Sequence, residues 1–305
     1  MDKRAIVVLA VVFGGLFFVF FGFLFLAVSV TGGGEAGVTA GGPRIGVIEL
    51  KGVIGDDKKI LEQLKKFRED DSIKAVLVRV DSPGGAVAPS QEIHDAILET
   101  RKKKKVVVSM GSVAASGGFY VSVAADEIVA NPGTLTGSIG VIMEFPDVSG
   151  LASWAKVKME VVKSGKFKDT GSPFRDMTDD DRQYLHDTVM DVYQQFLGAV
   201  AKGRKLPVDK VKPIADGRVL TGEQAKKLGL VDKLGSFDFA VKETARLAGL
   251  KGEPTLVYPK KDERELLRRL LSDGARSFVD GVKSEVTKSA ASAQSPSLWM
   301  LATPR

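Results

Sequence analysis

Two short segments hold the residue types that could do chemistry together. GSVAASGG carries Ser116, and SGKFKD, some fifty residues later, carries Lys168. A serine hydroxyl is a poor nucleophile until a neighbour takes its proton. A lysine amine can take it only where burial lowers the lysine pKa, because a solvated ammonium has no lone pair at neutral pH. Serine–lysine pairs are one variant of the serine triad, so the pair points to a serine protease with a lysine base. Ala114, Ala115, Gly117 and Gly118 are small enough for a substrate backbone to come close. They also leave the amide after the serine free to donate.

The intermediate of acyl transfer needs two N–H groups aimed at its developing negative charge. Gly117 supplies one. The DSPGG segment supplies the other, with Gly85 as the candidate, although the sequence alone does not choose between Gly84 and Gly85. Taken alone, SPGG is more often a simple turn. Spacing alone also leaves Lys166 and Lys168 both open as the base, and Lys163 lies close by. His94 invites a serine–histidine alternative, but it sits beside Glu92 and Asp95 in a helical pattern that reads as a solvated face. His186, next to Leu185, reads the same way.

The elements that must position these residues follow an alternating pattern. Apolar runs predict strands over 45–50, 73–80 and 106–110. Helical spacing falls at 58–68 and 89–103 between them. Strands alternating with helices imply βαβ units and a mostly parallel sheet, whose working loops lie at the carboxyl ends of strands. DSPGG and GSVAASGG fall at such ends. PGTLTGSIGV reads as a glycine- and threonine-rich turn leading into a strand, and Met159 to Val162 as a short strand that delivers SGKFKD. Thr178, with Asp181 three residues on, reads as the cap of a long helix whose apolar face is Leu185, Val189, Val192, Phe196 and Val200. A final helix begins at Phe237.

The 305 residues suffice for one large domain or two modest ones. Without cysteine there are no disulfides or Cys-based metal and redox sites, and two histidines make a multi-histidine metal site a poor fit. No metal, nucleotide or organic cofactor is expected. The net charge of +6 is mild and its signs are mixed, so nothing calls for a nucleic-acid partner. Ala5 to Val30 is uncharged and dense in Val, Leu and Phe, long enough as a helix to cross a bilayer. Lys3 and Arg4 precede it, so the positive-inside rule keeps the N-terminus cytoplasmic and the rest outside. Residues 1–30 are thus expected as a membrane anchor, 31–43 as a flexible linker, 44–260 as the globular domain and 261–305 as an amphipathic, partly disordered tail.

ASGG at 115–118, LTGSIGV at 135–141, SGKFKD at 164–169 and ADGRVLTGEQAKKLGLVDKLG at 215–235 resemble the signal peptide peptidase A family, in order and spacing. The resemblance runs from about Arg44 to Leu247. It implies an α/β, Clp-protease/crotonase-like fold in a membrane-anchored serine protease that degrades remnant signal peptides. It also implies a ring of subunits, commonly eight in short members, in which the lysine of one subunit serves the serine of its neighbour. By the family motif the base is the lysine before Asp169, namely Lys168. Ser138 resembles a family serine that orients that lysine, and Thr136 is a weaker candidate. Three rival readings share the fold or the anchor: a protease for a stomatin-like membrane partner, an acyl-CoA enzyme of the crotonase kind, and a catalytically silent scaffold.

Overall fold

The computed structural model describes residues 42–259. The expected anchor over 5–30 and the tail from 261 lie outside them. Among the described residues no helix is long and apolar enough to cross a membrane.

Strands β1 (Arg44–Lys51), β2 (Ile73–Ser82) and β3 (Lys105–Ala115) alternate with helices α1 (Lys58–Glu69) and α2 (Val87–Arg101). The three strands are neighbours and parallel, with Val47 opposite Leu77 and Leu77 opposite Val107. The second half of the domain adds α3 (Gly117–Ser122), β4 (Glu127–Ala130), β5 (Leu135–Gly137), α4 (Ser149–Trp154), α5 (Asp179–Arg204), α6 (Val208–Val211), β6 (Val219–Thr221), α7 (Gly222–Lys227), β7 (Lys233–Leu234), α8 (Phe237–Leu247) and β8 (Thr255–Val257). The sheet runs β6-β5-β3-β2-β1-β8, with β4 and β7 branching from β3. Among the described residues only the β5–β6 pairing is antiparallel.

Both faces of the central strands are covered, which is why they read as unbroken apolar runs. Val76, Val78, Val80, Val106, Val108 and Met110 lie in one core with Ile93 and Ile97 of α2 and Phe196 and Val200 of α5. Leu77, Val107 and Val129 pack with Ala240 and Ala245 of α8 on the other face. Each such aliphatic side chain contributes about 1.5–3 kcal/mol on full burial. Helix α5 starts where the sequence expects it. The Thr178 hydroxyl accepts from the Asp181 N–H, and the Asp181 carboxylate accepts from the Thr178 N–H in return.

Two expectations need correction. No strand forms over 159–162: residues 157–163 have no regular structure, and Met159, Val161 and Val162 stand exposed. A lone extended segment gains little until a neighbouring strand satisfies its backbone, and it has no such neighbour among the described residues. His94 is not on a solvated face. It is buried, with its ring 5.0 Å from that of Tyr120.

Candidate active site

β3 places the serine. Its first half pairs with β4 at Val107–Ser109 and its second half with β5 at Val113–Ala115. The chain therefore stays extended through most of GSVAASGG and turns sharply only at Ser116. There φ is 52° and ψ −121°, and α3 begins at the next residue. A non-glycine residue at positive φ costs about 1–3 kcal/mol and persists only where its surroundings impose it. The Ser116 N–H is fixed by the Gly137 carbonyl at 2.9 Å, and the Tyr120 N–H bonds the Ser116 carbonyl at 2.8 Å. Ser138 is the corresponding residue one step past β5. It too has positive φ, 49°, and its N–H is held by the Arg218 carbonyl at 2.8 Å. Thr136 is turned inward instead, its hydroxyl donating to the Ala114 carbonyl.

The DSPGG segment is clamped from β1's side. The Ile54 N–H donates to the Gly84 carbonyl at 2.9 Å, and the Ala86 N–H donates to the Ile54 carbonyl at 2.7 Å. This brings Gly84 onto the serine: a Cβ built on Gly84 would lie 2.7 Å from the Gly117 nitrogen and 2.8 Å from the Ser116 Cβ. The Gly85 nitrogen in turn lies 3.2 Å from where a Gly117 Cβ would stand. Gly85 lines the cavity and Gly84 does not. Among the described residues neither the Gly85 nor the Gly117 N–H has a hydrogen-bond partner. Two unpaired donors beside a serine hydroxyl can receive an oxyanion. Gly84→Ala, with its φ of 106° and no room for a methyl group, is expected to push the Gly117 amide out of line. The expected loss in kcat/KM is roughly 10²-fold, the scale of one lost donor. Steady-state kinetics checks it, beside a melting curve that shows the variant folded.

Ser116, Gly85, Gly117 and Ser138 all open onto one cavity of about 640 Å³. Val87 of α2, Tyr120 of α3, and Val192, Tyr193 and Phe196 of α5 make much of its wall. Burial pushes the Tyr120 phenol up from its ordinary pKa. Lys212, Asp216 and Gly217 close one side, and the Arg218 side chain bonds Asp216 and holds its carboxyl down at about 2. Lys212, which sequence reasoning did not single out, is the one lysine of that wall among the described residues.

Lys168 does not line the cavity; it is exposed, in a turn over 164–171 closed by a bond from its own N–H to the Gly165 carbonyl. The turn does separate the three lysines. Lys163 pairs with Asp169 at 2.7 Å and Lys166 pairs with Asp180. The Lys168 ammonium has no hydrogen-bond or ion-pair partner among the described residues. Phe167 stacks on Tyr184 of α5, with ring centroids 5.0 Å apart. Among the described residues no cluster of His, Asp or Glu could hold a metal ion.

Residues 99–251 match the model of peptidase family S49, and residues 46–134 match that of Clp protease. A protein of Synechocystis sp. named as a protease is 43% identical over 74% of this chain and 82% of its own length. Protease 4 of Salmonella typhi is 36% identical over 86% of this chain and 45% of its own length. The chloroplastic serine protease SPPA of Arabidopsis thaliana is 33% identical over 67% of this chain and 32% of its own length.

Proposed function

The chain belongs to peptidase family S49, among the signal peptide peptidases A, and is a serine protease; from that premise we propose that it is a membrane-anchored endopeptidase with a Ser116–Lys168 dyad that cuts extended apolar peptides, remnant signal peptides among them. The observation that carries this reading is the convergence of a strained serine and two unpaired backbone donors on one largely apolar cavity.

In this reaction Lys168 takes the Ser116 proton as Oγ attacks the peptide carbonyl. The oxyanion accepts from the Gly85 and Gly117 N–H groups. The Lys168 ammonium then protonates the leaving amine, and the free amine activates water to release the acyl group. Ser138, beside Ser116 in register, hydrogen-bonds and orients the lysine.

A lysine must be covered to act as a base at neutral pH, and Lys168 is exposed in the single chain. A second copy of the chain supplies both the cover and the serine. The chain around Lys168 supports such a neighbour: Ile142, Leu151, Trp154 and Val162 are more than 60% exposed, and Phe167 is 42% exposed. Large apolar side chains exposed in such number along one stretch of chain favour a surface that meets protein or membrane. The ring implied by the family resemblance presents this surface to the next subunit. Residues 5–30 hold the ring at the cell membrane, with the catalytic domains outside the cytoplasm. A second reading is favoured by one observation: Lys212 lines the Ser116 cavity within the same chain, so it is the alternative base.

The substrate class is tested with the full chain in detergent and two peptides of equal length, one apolar like a signal-peptide core and one polar. An apolar pocket separates such side chains by roughly tenfold or more in kcat/KM. Equal turnover of the two would remove apolar peptides as the substrate class.

A further inference from the structure

The turn that carries Lys168 meets the start of α5 through the Lys166–Asp180 pair, the Thr170–Asp181 bond, the Phe167–Tyr184 stack and, with the most hydrogen bonds, Arg175. Its Nε donates to Asp169 Oδ2 at 3.0 Å, and its Nη2 donates to Asp169 Oδ1 at 2.9 Å and to the Asp169 carbonyl at 3.3 Å. Its Nη1 donates to Asp181 Oδ2 at 2.6 Å and to the Asp176 carbonyl at 2.9 Å. Asp181 is buried and held by several hydrogen bonds. It caps α5 through Thr178, and the Thr170 hydroxyl donates to its Oδ1 at 2.6 Å. Arg175 therefore spans from a buried, hydrogen-bonded carboxylate to the carboxylate next in sequence to Lys168. A guanidinium can do this because its donors form a rigid fork, whereas a lysine offers a single point charge.

We infer that Arg175 is a positioning residue for the serine–lysine reaction: it fixes the turn that presents Lys168, and its engagement of both Asp169 oxygens keeps that carboxylate from capturing the Lys168 ammonium. This rests on the reading of Lys168 as the base. The charged and titratable groups on the turn and on what it packs against are Lys163, Lys166, Asp169, Arg175, Asp176, Asp180, Asp181 and Tyr184. Arg175 is the largest influence holding the Asp169 carboxyl down at about 2, with Lys163 second. A carboxylate released from its main partner, and held by Lys163 alone, favours the charged form of a lysine beside it, and so does the loss of a nearby cation. Both effects of removing Arg175 act in the same direction.

The test compares kcat–pH profiles of the full-length protein with those of Arg175→Gln, Arg175→Lys and Arg175→Gln/Asp169→Asn, using Lys168→Ala as the control. Arg175→Gln is expected to lower kcat at neutral pH by roughly tenfold or more, with KM changed much less. Its acid limb is expected to move up by about one pH unit. Arg175→Lys keeps the charge and loses the fork, so kcat falls while the limb moves less. Removing the Asp169 charge in the double variant brings the limb back toward the parent. A merely structural arginine would lower the melting temperature and the active fraction and leave the limb where it was, and that result overturns the inference. Wild-type kcat and profile in Arg175→Gln would overturn it as well, with the reading of Lys168 intact. Activity in Lys168→Ala sinks both.

Discussion

Replacing Ser116 by alanine is expected to abolish peptide hydrolysis while leaving the fold intact. Loss of the nucleophile in serine proteases costs about 10⁴–10⁶ in kcat. The substitution is a clean one here. Alanine keeps the Cβ, so the backbone at φ 52° is strained neither more nor less than before. Among the described residues the Ser116 hydroxyl has no hydrogen-bond partner whose loss would leave a buried group unsatisfied. The bonds that fix the turn, from the Ser116 N–H to Gly137 and from the Tyr120 N–H to Ser116, are main-chain bonds and survive. An unchanged melting temperature with no turnover of an apolar peptide places the nucleophile. Undiminished turnover in a folded variant would move it elsewhere.

The second large effect is one of recovery. Lys168→Ala is expected to be as inactive as Ser116→Ala, and subunits of the two mixed and exchanged are expected to regain activity. In a head-to-tail ring every site is made by two neighbours. With random equal mixing, a site that draws an intact serine from one subunit and an intact lysine from the next arises about a quarter of the time, so recovery approaches about a quarter of the parent rate. Lys212→Met is expected to stay active alongside. No recovery after proven exchange, together with an inactive Lys212→Met, would give the base to Lys212 and make each subunit self-sufficient.

Much of this arrangement was legible in the residues. The runs at 45–50, 73–80 and 106–110 became β1, β2 and β3 because covered parallel strands need no polar alternation. Thr178 and Asp181 announced the start of α5 through reciprocal capping. DSPGG and GSVAASGG met at the carboxyl edge of the sheet, as parallel topology demands. The choice between Gly84 and Gly85 was hidden. It depends on Ile54, some thirty residues away, which hydrogen-bonds across the loop and leaves Gly85 facing the cavity and Gly84 against the serine. The positive φ of Ser116 and Ser138 was hidden too, because serine gives no sign of it as glycine would. Met159 to Val162 carried the pattern of a strand, but a strand pattern states only what a segment can do once it has an edge to join. The Arg175 fork had no periodic signature at all. Only the fold brings Asp169 and Asp181 to the same guanidinium.

The two serines at positive φ and the two idle amides beside them set strained backbone and unspent donors side by side in one corner of the described domain. None of it helps the chain stay folded; the sheet and helices around it bear the strain. Evolution toward stability alone would therefore work against this corner first, favouring glycine where Ser116 and Ser138 stand, and each gain in robustness there would come from a protein further from being an enzyme.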